Sequence, residues 1–542
     1  MRHLLIICFM FLSLTLTAQN KINPVIQVER LYDADLMEVT KPVLDTRVPD
    51  SLRTFNTLFQ YTIFDKPLSN LYAFVPLAAA VMEPQKPYEK HFGYLSLGSG
   101  YPWTPAGDLH LQLPVKSRWF MGIDGIHRSL WDETDRMTNQ GSFTLERRGK
   151  HSFYIKADGE HLYNTFARPL PLSIAAPSSQ TYYRAGGQAG LYSLNNQAST
   201  WSYRADLSYR HASASMAQFV DSLASQRENA LDGEFLLGYN LSRVFSVNLG
   251  AQSFFSSRKL TDDSVWVSKA IVNIFPHVIW SGEKYKLSIG ARIGFLLTEK
   301  ESLFDIFPWI EAHYAFDPVF AVYFSMDGKR ELNTLQNRIP ENPWLLDPLM
   351  NDRRIRLNAE AGFTGTIQDV FSYRIYGGYR ITEDQIYYRT IPYPPGYPGC
   401  YKLDYDDETR YTAGAWVSYH SKPFEAKIHA AWYKYILSQG TVPWHMPAWE
   451  VSGQARYNWR ERIIVAITAG YRSRSGAPGL YDGDPVIELP AFTNLGARVE
   501  YVWGRHFSTF LYGQNLLDRE IYYYNLYREP GITFGTGLTL RF

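Results

Sequence analysis

Ten of the thirteen histidines, His127, His151, His161, His211, His277, His313, His420, His429, His445 and His506, are scattered along the chain at spacings that force no two of them together. Metal-assisted hydrolysis would need a pairing such as H-E-x-x-H, and acyl transfer a nucleophile elbow such as G-x-S-x-G; neither occurs. Each histidine therefore reads as an interfacial or inward-facing structural residue, and neither enzymatic activity nor a cofactor is expected. Two acidic groups, Asp404, Asp406, Asp407 and Glu408, and then Asp482-Gly483-Asp484, offer oxygens that suit calcium, but neither follows a twelve-residue calcium loop. They read as solvated loop residues. The stretch from Ile391 to Tyr405, IPYPPGYPGCYKLDY, is aromatic and stiffened by proline, and reads as a surface loop that could meet a sugar or a partner protein.

With no catalytic constellation, the informative features are those that place the chain. The first residues carry Arg2 and His3, then a 13-residue apolar run, Leu4 to Leu16, then Thr17, Ala18, Gln19. This is the pattern of a secretory signal peptide, residues 1–18, cleaved after Ala18. Of the two cysteines Cys8 lies within that run, so Cys400 stands alone in the mature chain and no intramolecular disulfide is expected. Loss of Arg2 leaves 53 basic and 53 acidic residues, which gives no electrostatic case for nucleic acid. The longest later apolar run, Leu71 to Met82, is 12 residues and contains Pro76, against the roughly 20 needed for a spanning helix. In a membrane this chain would have to be a closed β-barrel.

From His91 onward the hydrophobic period is two. Tyr285, Leu287, Ile289, Ala291, Ile293, Phe295 and Leu297 alternate with Lys286, Ser288, Gly290, Arg292, Gly294 and Thr298, broken only by Leu296. Phe371, Tyr373, Ile375, Tyr379 and Ile381 alternate with Ser372, Arg374, Tyr376, Gly378, Arg380 and Thr382, and the same pattern runs from Ile463 to Arg474, blurred at its start by Ile464 and Ala466. Strands of 11 to 14 residues exceed the usual 5 to 6 and suit a tilted crossing of about 9 to 11. Short turns are expected at 241–243, 281–284, 316–318, 367–370, 421–424, 459–462 and 503–506, with longer polar connections at 328–352, 383–408, 438–449, 475–490 and 518–530. Short turns on one side and longer loops on the other are the topology of an outer-membrane barrel. Aromatic residues make up 15% of the chain, and Trp280, Tyr285, Trp309, Tyr314, Tyr323, Trp416, Tyr419, Trp432, Tyr435, Trp459 and Trp503 fall near strand ends, as interfacial girdles require. The expectation is an all-β, transmembrane, antiparallel up-and-down barrel of about 20 to 22 strands over residues 91–542, located in the cell outer membrane and in contact with its lipid.

The end of the chain, Gly513-Gln514-Asn515-Leu516-Leu517-Asp518, then Tyr522-Tyr523-Tyr524, then Pro530-Gly531 and a last strand ending Arg541-Phe542, resembles the carboxy terminus of TonB-dependent receptors. Val28-Glu29-Arg30-x-Tyr32, Pro42-Val43-Leu44-Asp45, Phe59-Gln60-Tyr61 and Gly93 to Gly100 with Thr104-Pro105 look like a group of Bacteroidetes-type outer-membrane proteins that have a similar barrel without the plug. Gln19 to Lys90, 72 residues, shows no glycine-rich plug pattern and no coupling box. Residues 19–90 are expected to form a periplasmic or lumen-filling segment. The resemblance implies transport across the outer membrane or a role as subunit of an outer-membrane complex. The rival readings are a structural or assembly component with a blocked lumen and an energised receptor working with a separate partner. Leu538, Leu540 and Phe542 resemble the signal read by barrel-assembly machinery, and a further outer-membrane or periplasmic partner is also in keeping. Arg292, Arg374, Arg380, Arg472 and Arg541 fall on the polar parity and are candidate lumen charges, whose balancing carboxylates need a register to be placed.

Overall fold

The computed structural model describes residues 92–542 except 117, 168–177, 194–199, 218–224, 261–265, 346–349, 391–398, 441 and 480–483. The stretch expected to be a signal peptide, residues 1–18, and residues 19–90 lie outside the described residues. Twenty-two strands form one antiparallel sheet in up-and-down order, and the sheet closes on itself. The first strand, Gly93–Tyr101, pairs with the last, Thr533–Arg541, from Tyr94 opposite Arg541 to Tyr101 opposite Phe534. Closure leaves no strand edge with unpaired amides, the condition for a sheet to sit in hydrocarbon.

Pairing fixes which way each side chain points. On the last strand Phe534 is 60% exposed and Leu540 and Phe542 are exposed beside it. Its odd-numbered residues point the other way, where the Thr539 hydroxyl donates to Ser96 at 3.2 Å and Arg541 reaches Glu500 at 3.0 Å. Glycine recurs on that inner face because rings cross it: a Cβ at Gly537 would fall on the ring of Phe510, and one at Gly535 on that of Tyr512. Followed strand by strand, the register carries this parity round the barrel, so one face of every strand belongs to the lumen.

The short turns gather at the end that holds Gly93 and Arg541. Two of them, between Ile367 and Phe371 and between Trp459 and Ile463, place both central residues at positive φ: Gln368 at 52° and Asp369 at 56°, Arg460 at 53° and Glu461 at 58°. A tight turn of this hand matches the right-handed twist of the flanking strands. Exposed aromatics ring the same end, including Trp280, Tyr314, Tyr419, Trp459 and Trp503. Trp309, Tyr323, Trp416 and Tyr435, grouped with them by sequence, lie instead on the lumen parity; the Tyr323 hydroxyl donates to Glu360 at 2.8 Å and Trp309 meets His277 edge to face at 4.2 Å.

The strands vary more in length than the sequence pattern suggests, from 8 residues at Phe507–Gln514 to 20 at Phe371–Thr390 and Tyr401–His420. The expected loop at 383–408 is therefore mostly strand: the two longest strands continue past a register shift between Thr382 and Gln385 and stay paired as far as Thr390 and Tyr401. The acidic run at Asp404 to Glu408 lies within this ribbon. Among the described residues, the connections at 332–352, 438–448, 473–491 and 515–532 are irregular, holding one seven-residue helix, Leu335–Glu341, and two short hairpins.

Candidate functional site at the mouth of the barrel

At the end opposite the short turns, the long connections fold back onto the inner wall and build a hydrophobic core. Leu335, Ile339, Trp344 and Leu345 from the segment after Glu331 meet Ile386, Tyr388, Tyr401 and Leu403 of the long ribbon and Tyr527 of the last connection. They pack on Leu162, Tyr182, Ala212 and Ala214, which lie on the lumen parity of three successive wall strands. Leu335 and Tyr401 are completely buried. Such burial is unusual for connections, which ordinarily run over a surface. Here the apolar residues of the outer connections are numerous enough to make an interior of their own, and each large side chain so buried contributes about 1.5–3 kcal/mol.

Polar contacts fix the arrangement. The segment 332–352 leaves the wall at the thirteenth strand and is tied to the fifth and sixth: the Trp344 indole donates to the Thr165 carbonyl at 3.0 Å and the Gln180 amide to the Leu345 carbonyl at 3.4 Å. At its far end Lys269 binds Asp352 at 2.8 Å. Trp344 stacks on Tyr527 with centroids 3.6 Å apart, and Arg136, paired with Glu529 at 2.7 Å, lies over the indole. The Tyr527 hydroxyl donates to the Gly399 carbonyl, the Tyr401 hydroxyl to the Asn525 carbonyl at 2.5 Å, and the Asn525 side chain to the Pro478 carbonyl at 3.4 Å. Four connections thus hold one another across the mouth.

His445, at the centre of this junction, has positive φ (62°) and is 4% exposed. The Asn525 amide donates to its Nε2 at 3.4 Å, and Arg472 donates to its carbonyl at 2.6 Å. Burial, reinforced by the Arg472 charge, holds its pKa down at about 3, so the ring is neutral. Cys400, in the stretch read from sequence as an exposed loop, is 1% exposed, and burial pushes its thiol up to about 12. Residues 391–398 of that stretch lie outside the described residues; Gly399 to Tyr405 belong to the interior of the mouth, because their aromatic side chains find partners there rather than water.

The five candidate lumen arginines are spread around the wall and do not converge. Arg374 pairs with Glu360 and donates to Tyr323 at 2.7 Å, Arg541 with Glu500, and Arg472 with Glu450 at 3.6 Å. Arg380 donates to Asn358 at 2.9 Å and Arg292 lies 5.7 Å over the Phe275 ring. Sequence pattern missed a second set of inward charges, the carboxylates Asp158, Glu160, Asp206 and Asp232 with Arg184, Arg204 and Arg210 on the strands between His151 and Asn240; period-two alternation marks that side, but only register shows that they are neighbours. Among the histidines, His127, Asn139 and His161 form a hydrogen-bonded row on the outward parity, ending in His161 stacked on Tyr183 at 4.5 Å. Among the described residues no group of three His, Cys, Asp or Glu is arranged to hold a metal ion. No described helix is long and apolar enough to cross a membrane, which says nothing of crossing by strands.

No protein-family model matches the chain, and no curated protein matches it. Solved structures do. The siderophore receptor PirA of Acinetobacter baumannii matches with a TM-score of 0.65 at 11% identity, over 83% of this chain and 80% of that one. The FrpB iron transporter of Neisseria meningitidis gives 0.67 at 9%, over 84% and 82%, and the ferripyoverdine receptor of the outer membrane of Pseudomonas aeruginosa 0.63 at 13%, over 84% and 72%. At these identities the likeness is one of fold: this chain has the large barrel of outer-membrane receptors and transporters.

Proposed function

We propose that this protein is an outer-membrane barrel without a plug domain that passes solute across the outer membrane through a mouth closed by its own connections. The observation that carries this reading is the buried core of Trp344, Tyr401 and Tyr527, which sets the connections across the opening instead of over the surface. A barrel of this size needs something in its lumen to preserve the permeability barrier, and folded-in connections supply it at the outer end. The fold likeness to receptors and transporters supports transport. Insertion through barrel-assembly machinery acting on Leu538, Leu540 and Phe542 fits the same account.

The complete burial of Tyr401 and Leu335 also favours a second reading, in which the mouth never opens and the barrel is a blocked subunit of an outer-membrane complex. Planar-bilayer recording of the full chain separates the two. Brief openings on a near-zero background support gated passage, silence together with a stably co-purifying partner supports the blocked subunit, and a large steady conductance contradicts both.

A further inference from the structure

At the closing seam, inner-wall strands from both sides and the connection 515–532 enclose a cavity of about 730 Å³. Its size falls within the range of small-molecule sites. Four charged residues line it, and each already has a counter-charge. Arg128 donates to both oxygens of Asp108 at 2.7 Å, Glu529 holds Arg136 at 2.7 Å, and Arg498 lies 3.4 Å from Glu500 and 3.6 Å over the Phe510 ring. A charged solute entering here would lose hydration with no free counter-ion to replace it.

What the lining offers instead is uncharged. Thr533, on the last strand, is 8% exposed and makes no side-chain hydrogen bond among the described residues, yet its hydroxyl is not sealed off; the surface it keeps belongs to the cavity it lines. Gln514, its cross-strand partner, and Thr468 line the same cavity, and their side chains likewise make no hydrogen bond among the described residues. An apolar occupant would leave these groups unmatched, which costs free energy. Tyr523 of the connection adds a ring that stays 40% exposed, held by Arg472 at 5.4 Å and edge to face with Phe492 at 5.3 Å. An adjoining cavity shares Thr468, Gln514 and Tyr523 but carries Lys427, which has no ion pair among the described residues, so the seam cavity is the one whose charges all balance.

We propose that the seam cavity binds an uncharged, hydroxyl-rich solute of the saccharide class, its hydroxyls paired with Thr533, Gln514 and Thr468 and a C–H face of its ring laid against Tyr523. Such a solute donates and accepts at closely spaced positions, as hydroxyl and amide side chains do, and carries apolar C–H faces that suit an aromatic ring. This names the solute class for the transport reading and rests on it only for the consequence that the bound solute is passed onward.

The test is titration calorimetry on the detergent-solubilised full chain with three probes that differ at one terminus: maltotriitol, which is neutral, maltotrionate, an anion, and 1-amino-1-deoxymaltotriitol, a cation. Maltotriitol is expected to bind at least roughly 10-fold more tightly than either charged probe. Thr533→Val, which keeps the shape and removes the hydroxyl, and Gln514→Met are each expected to weaken maltotriitol by about 5-fold or more. If a variant fails to give a heat-modifiable barrel, the ranking of the three probes on the unaltered protein decides the matter. No heat from maltotriitol up to about 10 mM, equal affinity for all three probes, or an affinity that both folded variants leave unchanged overturns the proposal. Liposome swelling keeps the two readings apart: maltotriitol that binds but does not pass supports the site and counts against transport, whereas its passage with no measurable binding overturns the site and leaves transport standing.

Discussion

The Tyr401 hydroxyl donates to the Asn525 carbonyl at 2.5 Å, joining two connections 124 residues apart. Tyr401 stands at the start of one of the two longest strands and Asn525 in the turn of a short hairpin. Neither could be placed there without the other, since a fully buried phenol needs an acceptor and a buried carbonyl a donor. The pair therefore reports whether the connections are assembled over the mouth.

Truncating the stacked partner should loosen that assembly without disturbing the wall. Trp344→Ala removes the ring that stacks on Tyr527 and the indole bond to Thr165, and is expected to destabilise the mouth by about 3–5 kcal/mol. The barrel itself should keep its heat-modifiable migration, while channel openings in planar bilayers become frequent. Unchanged recordings would show that the connections close the mouth without this core.

Acid should act in the same direction through His445. Its pKa in the closed state is about 3, below the ordinary 6.5, so the open state binds the proton more readily. The contribution of the neutral ring is complete above about pH 6.5 and is lost as the pH falls toward 3, at about 1.4 kcal/mol per unit, or roughly 2 kcal/mol by pH 5. Openings should rise between pH 7 and pH 5, and His445→Asn, which tolerates the positive φ, should flatten that profile. A profile that His445→Asn leaves unchanged would assign the acid response to another group.

The closing seam admits little substitution. Gly537→Val puts side-chain atoms into the ring of Phe510, an overpacking worth about 1–3 kcal/mol, at the pairing that joins the last strand to its neighbours. Slower appearance of the compact, heat-modifiable form on an unstained folding gel is expected. Removal of Phe542 is expected to lower the yield of inserted barrel in cells while leaving in vitro folding close to normal, as the proposed recognition of Leu538, Leu540 and Phe542 by barrel-assembly machinery requires.

At the opposite end, Arg460 and Glu461 hold left-handed backbone that asparagine and glycine adopt more easily. Replacing the two by Asn-Gly should stabilise the barrel by about 0.5–1 kcal/mol, read as a small rise in the temperature at which the folded band disappears, with no change in conductance.

The barrel is legible in the sequence because a wall strand answers to two environments at once: Ile289 and Phe295 face outward, Arg292 and Ser288 inward, and nothing beyond that alternation is needed to recognise the element. The mouth is not legible for the same reason. Leu296 interrupts the alternation, and the structure explains it as an inward leucine packed on Ile271 and on Leu332 of the crossing connection. The break is visible in the chain; its partner is not. Residues 383–408 look like a loop because prolines and acids interrupt the pattern, yet the ribbon continues through a register shift, and Tyr388, Tyr401 and Leu403 are drawn into an interior that only tertiary contact creates. Likewise Arg374 and Arg541 can be assigned a parity from sequence, but their partners Glu360 and Glu500 emerge only from register.

Cys400 offers the most direct test of the closed mouth, since it is the one cysteine of the chain besides Cys8, which falls in the apolar run expected to be a signal peptide, and lies between Gly399, bound by Tyr527, and Tyr401. The measurement is the rate at which a membrane-impermeant maleimide labels the full-length protein in outer-membrane vesicles at pH 7.5, compared with the same protein carrying Trp344→Ala. A buried thiol with its pKa near 12 should label very slowly in the unaltered protein and at least about tenfold faster in the variant, the rate following the open population. Fast labelling of the unaltered protein, equal to that of the variant, would contradict a mouth closed by its own connections.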